Sequence, residues 1–128
     1  FYRRSDDTVY MRAIEGFRST SKCYGTLAHE IAHATLSKTR LDRVHKGSSE
    51  ERYAQEEVVA ELAAAMVGAR LGIEPEFDQN AAYLKSWISI MKQDSRAIVR
   101  AASMAQAAAD WMFETAGPTP EHGIAQAA

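Results

Sequence analysis

The sequence predicts a single domain, mainly α within the α+β class, with a short N-terminal β-hairpin. Three observations carry that prediction. Apolar residues recur at helical spacing through most of the chain, and much of the 46% apolar content is alanine, which suits closely packed helices. Strand-like segments flanking a turn occur only in the first dozen residues. A length of 128 residues allows one core of moderate size, with no internal repeat to suggest a solenoid.

Residues 1–4 and 8–12 flank Ser5-Asp6-Asp7, and aspartate tolerates the turn conformations of a hairpin. A first helix is expected over 22–37, with Ser19, Thr20 and Ser21 as capping candidates. Its buried stripe should be Tyr24, Leu27, Ala28, Ile31 and Ala34. Residues 40–50 read as a polar loop, with Arg40, Arg43, His45 and Lys46 solvated, or with His45 serving as a metal ligand or substrate contact, ending in the Gly47-Ser48-Ser49 cap region. A long helix follows over 51–71, closed by Gly72, with Val58, Leu62, Ala65, Met66 and Ala69 as the stripe that docks on the first helix. Pro75 marks a connector. A third helix is expected over 80–92, where Tyr83, Trp87, Ile90 and Met91 read as core. Asp94 or Ser95 should cap a fourth helix over 96–115, stopped by Gly117-Pro118. The domain then covers residues 1–117, and 118–128 form a flexible C-terminal tail.

Composition narrows the function classes. A net charge of −2 and a pI near 6.1 are not the footprint of an independent nucleic-acid binder. The single cysteine, Cys23, permits no internal disulfide, suits a reducing cytoplasm and reads as a small buried side chain. The longest apolar stretch, 58–73, is interrupted by Glu61 and Arg70 and is too short to span a membrane. The chain starts at Phe1 rather than Met, which points to sequence missing upstream.

The chemistry is concentrated in His29-Glu30-Ile31-Ala32-His33, an H-E-x-x-H on the first helix. Histidines four apart project from one helix face, so two imidazole nitrogens can converge on one zinc. Glu30 lies one position round the helix and is placed to take a proton from a water activated by the ion. A third protein ligand is required. Leu36 and Thr39 occupy the positions where the extended metzincin motif would carry Gly and His, so the ligand must come from another segment. Glu57 and Glu61, four apart on the long helix, share a face. Glu57 is preferred as ligand. Glu61 then holds a ligand histidine by its other nitrogen, or replaces Glu57 on the metal. Glu50, Glu51 and Glu56 read as partners of the helix dipole. Tyr53 and Tyr83 are candidate donors to a reacting oxyanion.

The segments Tyr24-Gly25-Thr26-Leu27-Ala28-His29-Glu30-Ile31-Ala32-His33-Ala34-Thr35, Arg40-Leu41-Asp42-Arg43 and Tyr53-Ala54-Gln55-Glu56-Glu57-Val58-Val59-Ala60-Glu61-Leu62 come in order. Asn80-Ala81-Ala82-Tyr83, Ser86-Trp87 and the alanine-rich 101–108 follow. Together they resemble the zincin-like metallopeptidase domain of ArdC-type antirestriction proteins and TraC-type plasmid DNA primases. The Glu-x-x-Ala segment also resembles that of ImmA/IrrE-type peptidases. The resemblance implies a zincin-like helical domain with a gluzincin-like site: metal on His29, His33 and Glu57, and Glu30 as the catalytic base. It further implies one Zn2+ per chain, a protein or peptide substrate, and a cytoplasmic setting in a protein of a mobile element. Nucleic acid would be met only through a missing upstream domain. Two departures stand out. Leu36-Ser37 replaces a frequent Gly-His, and Arg12 replaces a frequent Pro.

The sequence thus points to a zinc metallopeptidase domain that hydrolyses a peptide bond. The alternative is a zinc-stabilised interaction module of an antirestriction or DNA-processing protein with little peptidase activity.

Overall fold

The computed structural model describes residues 1–73 and 81–118, and for 81–84 and 86 the backbone only. The hairpin forms where expected, as β1 (Tyr2–Arg3) and β2 (Thr8–Val9), antiparallel with Tyr2 opposite Val9 and Arg3 opposite Thr8. Asp7 takes the left-handed backbone conformation the turn needs, with φ at 52°. Its carboxylate accepts two hydrogen bonds from Arg40, at 2.8 and 2.7 Å, and one from the Tyr2 hydroxyl. Arg40 also donates to the Ala34 carbonyl at 3.0 Å, so the hairpin is fastened to the end of the first helix.

That helix, α1 (Thr20–Ala34), is capped by Ser19, whose hydroxyl accepts the Lys22 N–H at 3.0 Å. It stops three residues short of the expected 37. Beyond Ala34 the chain turns back, with the Leu41 N–H on the Thr35 carbonyl and the Asp42 N–H on that of Ser37. The second helix, α2 (Ser49–Leu71), opens with a full capping box between Ser48 and Glu51 and closes on Gly72 at φ 70°. Gly47 is required here. A Cβ at that position would lie 2.4 Å from the Glu51 carboxylate that completes the box. The third and fourth helices are α3 (Ala81–Gln93) and α4 (Ala97–Ala116). Neither Asp94 nor Ser95 occupies the cap of α4. Arg96 does, without a side-chain cap, while the Asp94 carboxylate accepts the Arg96 N–H at 3.0 Å.

Helix α2 is the axis of the fold, and α1, α3 and α4 all pack on it. Ala32, Ala60, Ala63, Ala105 and Ala108 are fully enclosed at the crossings, where a larger side chain would hold the helices apart. Val58, Val59 and Trp87 fill the space between them. A central helix buries more than one stripe, which corrects the expectation for α2. Ala54, Val59, Ala60 and Ala63 are buried besides Val58, and Ala69 is exposed. On α1, Tyr24 is 48% exposed and Ala32 takes the deep position instead, because α2 covers the face one residue round. On α3, Trp87 is buried and Ile90 packs on the core, but Met91 is 37% exposed at its edge. Cys23 is buried, as expected of a small apolar side chain. Pro75, Asn80, the side chain of Tyr83 and tail residues 119–128 lie outside the described residues. No helix among the described residues is long and apolar enough to cross a membrane.

Candidate metal centre

The packing of α1 on α2 brings His29, His33 and Glu57 together. The two Nε2 atoms are 3.0 Å apart. Glu57 places Oε1 3.3 Å from His33 Nε2 and Oε2 3.6 Å from His29 Nε2. All three side chains are largely enclosed, at 16%, 16% and 13% exposure. Three donors on a tetrahedral ion at zinc distances would be separated by roughly 3.3–3.4 Å. The observed spacing brackets that value.

The other nitrogen of each ring faces a further carboxylate. His29 Nδ1 is 3.4 Å from Glu61 Oε1, and His33 Nδ1 is 3.2 Å from Glu56 Oε1. An ionised carboxylate can only accept, so His33 Nδ1 is a donor, and the Glu61 charge beside His29 Nδ1 favours the same form of that ring. In neutral rings both Nε2 lone pairs then point at one another and at Glu57. Such an arrangement needs a cation between the three groups, either a proton or a metal ion. The donor set therefore fits a divalent metal.

Without metal the proton takes that role. Burial works against charge on His33, but its bonds to Glu56 and Glu57 outweigh burial and raise its pKa to about 9. Burial likewise opposes charge on Glu57, yet bonds to His29 and His33 hold its pKa near 2. Glu56 remains a carboxylate far below its usual range. His33, His45 and Arg43 together overcome its burial.

Glu56 corrects two expectations. It is not a solvated partner of the helix dipole but a buried hub. Arg43 bonds it twice, from Nη2 at 2.7 Å and Nε at 3.2 Å, and His45 Nε2 donates at 2.6 Å. Arg43 and His45 are correspondingly buried, with side chains 4% and 6% exposed, rather than solvated loop residues. Arg43 also donates to the Thr35 hydroxyl and to the Ala32 carbonyl.

Glu30 faces the same cleft, a space of about 1000 Å³ that also exposes His29, His33 and Glu57. Its Oε2 accepts the Tyr2 N–H of β1 at 2.7 Å, so the hairpin edge borders the site. Tyr53 stands at the mouth, 60% exposed. Partial burial raises its pKa, followed by the negative charge and hydrogen bond of Glu57 and the charge of Glu30. Tyr83 cannot be placed against the site, because its side chain is outside the described residues.

The zincin-like metallopeptidase family model matches residues 1–104. This chain belongs to that family. The zincin-like domain is 42% identical over 114 residues to the uncharacterized protein y4eC of Sinorhizobium fredii, covering 88% of this chain and 37% of y4eC. It is 40% identical over 115 residues to the DNA primase TraC of Escherichia coli, covering 88% of this chain and 11% of the primase. The chain thus spans well under half the length of these curated relatives. The crystal structure of Mn(II)-bound antirestriction protein ArdC from plasmid R388 matches it with a TM-score of 0.83 at 44% identity, over 91% of this chain and 44% of ArdC. Metal-free ArdC matches with a TM-score of 0.82 at 45% identity. Leu36 and Ser37 line the cleft wall.

Sequence reasoning missed the Glu56–Arg43–His45 cluster. The one available signal was the Glu56-Glu57 pair itself. Adjacent helix positions point about 100° apart, so only one of the two can face the histidines' Nε2 atoms while its neighbour faces elsewhere.

Proposed function

We propose that this chain is a metal-dependent peptidase domain, with one zinc ion held by His29, His33 and Glu57. The convergence of their donor atoms, 3.0 to 3.6 Å apart, is the observation that carries the reading. A bound ion supplies Lewis acidity, lowering the pKa of water and polarising a carbonyl. Glu30 accepts the proton of the attacking water and delivers it to the leaving amine. The Tyr2 N–H fixes Glu30 Oε2 in the wall of the cleft, and the Phe1 ammonium stands 3.7 Å from its Oε1. Tyr53, at the mouth of the same cleft, donates to the developing oxyanion. Two nitrogens and one carboxylate oxygen suit zinc, and the Mn(II) in ArdC shows that a relative's structure takes a divalent ion.

The substrate is a protein or peptide, and the setting is the cytoplasm of a cell carrying a mobile element, in an antirestriction or primase-type protein. Any nucleic-acid contact belongs to parts of that protein beyond this chain. Two measurements test the reading. Elemental analysis of protein purified without chelator should find about one zinc per chain. A peptide library incubated with the loaded protein should yield cleavage products by mass spectrometry. Glu30→Gln should keep the metal and lose about 10²–10⁴-fold in rate. Stoichiometric metal without any cleavage would favour a zinc-stabilised interaction module instead. No metal uptake would end both readings.

A further inference from the structure

Glu56 offers nothing to the ion, because both of its oxygens are taken. Oε1 accepts from His33 Nδ1 and Arg43 Nη2, and Oε2 accepts from Arg43 Nε and His45 Nε2. Four donors fill the lone-pair positions of one carboxylate whose residue is 6% exposed. The donors are fixed in turn. Arg43 reaches the Ala32 carbonyl at 2.8 Å and the hydroxyl of Thr35, which is fully buried. The Thr35 hydroxyl itself donates to the Ala32 carbonyl at 2.6 Å. The clamp therefore closes on the last turn of α1, the turn that carries His33.

Resting on the metal-site reading above, we infer that Glu56, locked by Arg43 and His45, is the positioning residue for His33. A neutral imidazole can carry its proton on either nitrogen and can turn about its ring bond. Only the form with Nδ1–H presents a lone pair on Nε2, where His29 and Glu57 converge. A carboxylate that cannot give a proton selects that form, fixes the ring plane and raises the basicity of the ligand nitrogen. The loop of residues 40–46 thereby belongs to the metal centre through Arg43 and His45, although neither lies among its converging donors.

The test is zinc affinity by chelator competition for the wild-type chain, Glu56→Gln and Arg43→Lys, with circular dichroism of each metal-free protein. Glu56→Gln should weaken zinc by about 10–100-fold while the folded spectrum is retained. Arg43→Lys should weaken it in the same direction and less, because an ammonium cannot bridge both oxygens in a fork. A merely structural role would lower the unfolding temperature and leave zinc affinity at the wild-type value, and that result overturns the inference. Should Glu56→Gln fail to fold, ¹⁵N NMR of the zinc-loaded wild-type chain decides. The expected signature is His33 bound through Nε2 with a slowly exchanging Nδ1 proton. Metal on Nδ1, or rapid exchange of that proton, overturns it. A wild-type chain that takes no ion removes the metal reading and this inference together, whereas normal zinc affinity in folded Glu56→Gln removes this inference alone.

Discussion

His29 and His33 lie one turn apart on the same helix and both turn Nδ1 toward a carboxylate, but the two sides of the centre are built differently. Glu61, facing His29, is 37% exposed, stands 3.4 Å away and carries no further hydrogen bond among the described residues. Glu56, facing His33, has a side chain 8% exposed, stands 3.2 Å away and is tied to Arg43 and His45. A charge in an enclosed, fully satisfied network acts through a lower local dielectric than one that water screens. The comparison teaches that ligand spacing on a helix does not make two ligands equivalent. The His33 side is preorganised, and the His29 side is adjustable.

The most severe way to break the comparison is His33→Ala. It should abolish zinc binding in a chelator competition, and retained affinity would place the ion elsewhere. A second break uses pH. His33 in the metal-free protein has a pKa raised from 6.5 to about 9, so near neutrality an ion must displace its proton. Zinc affinity should therefore rise with pH, by up to about a hundredfold between pH 7 and 9 for one displaced proton. A flat profile would mean that His33 is already neutral. The same shifts set the stability of the metal-free chain. The raised His33 pKa contributes stability that is complete below 6.5 and lost as pH rises through about 9. The depressed Glu57 pKa contributes stability that is complete above 4.5 and lost as pH falls toward about 2. Thermal unfolding of the chelator-treated protein should peak between those bounds, pH 4.5 to 6.5, and decline on either side.

Smaller changes sharpen the contrast. Glu56→Gln leaves Arg43 without its ionic partner, and in denaturant titration it should cost up to about 3–5 kcal/mol, the range for breaking a buried pair. Glu61→Gln should leave stability nearly unchanged and weaken zinc at or below the lower end of the roughly 10–100-fold range for residues that hold ligands. Equal effects of the two substitutions would dissolve the distinction.

What the sequence made legible follows from local rules. The H-E-x-x-H helix, the Gly47-Ser48-Ser49 cap region, Gly72 and the hairpin turn over Ser5-Asp6-Asp7 depend on neighbours within a few residues. Face assignments depended on which helix became central, and the periodicity of α2 could not say that three helices would pack on it. Tyr24 lies on the apolar stripe of α1 yet outside the core, since helical spacing locates a stripe but not its covering partner. Arg43 and His45 looked like loop cations because their partner, Glu56, lies 13 and 11 residues further along with no fixed spacing to announce it. The Glu57–Glu61 face was legible, and the role of Glu56 beside it was not. A buried acid and a dipole-stabilising acid have the same letter at the same helix position.

Anomalous diffraction from crystals of the chain grown with zinc tests the central claim most directly. One peak is expected, within about 2.0–2.2 Å of His29 Nε2, His33 Nε2 and a Glu57 oxygen, with Glu61 and Glu56 on the far sides of the two rings. A peak bound to Glu61 with Glu57 turned away, or no peak between the histidines, would contradict it.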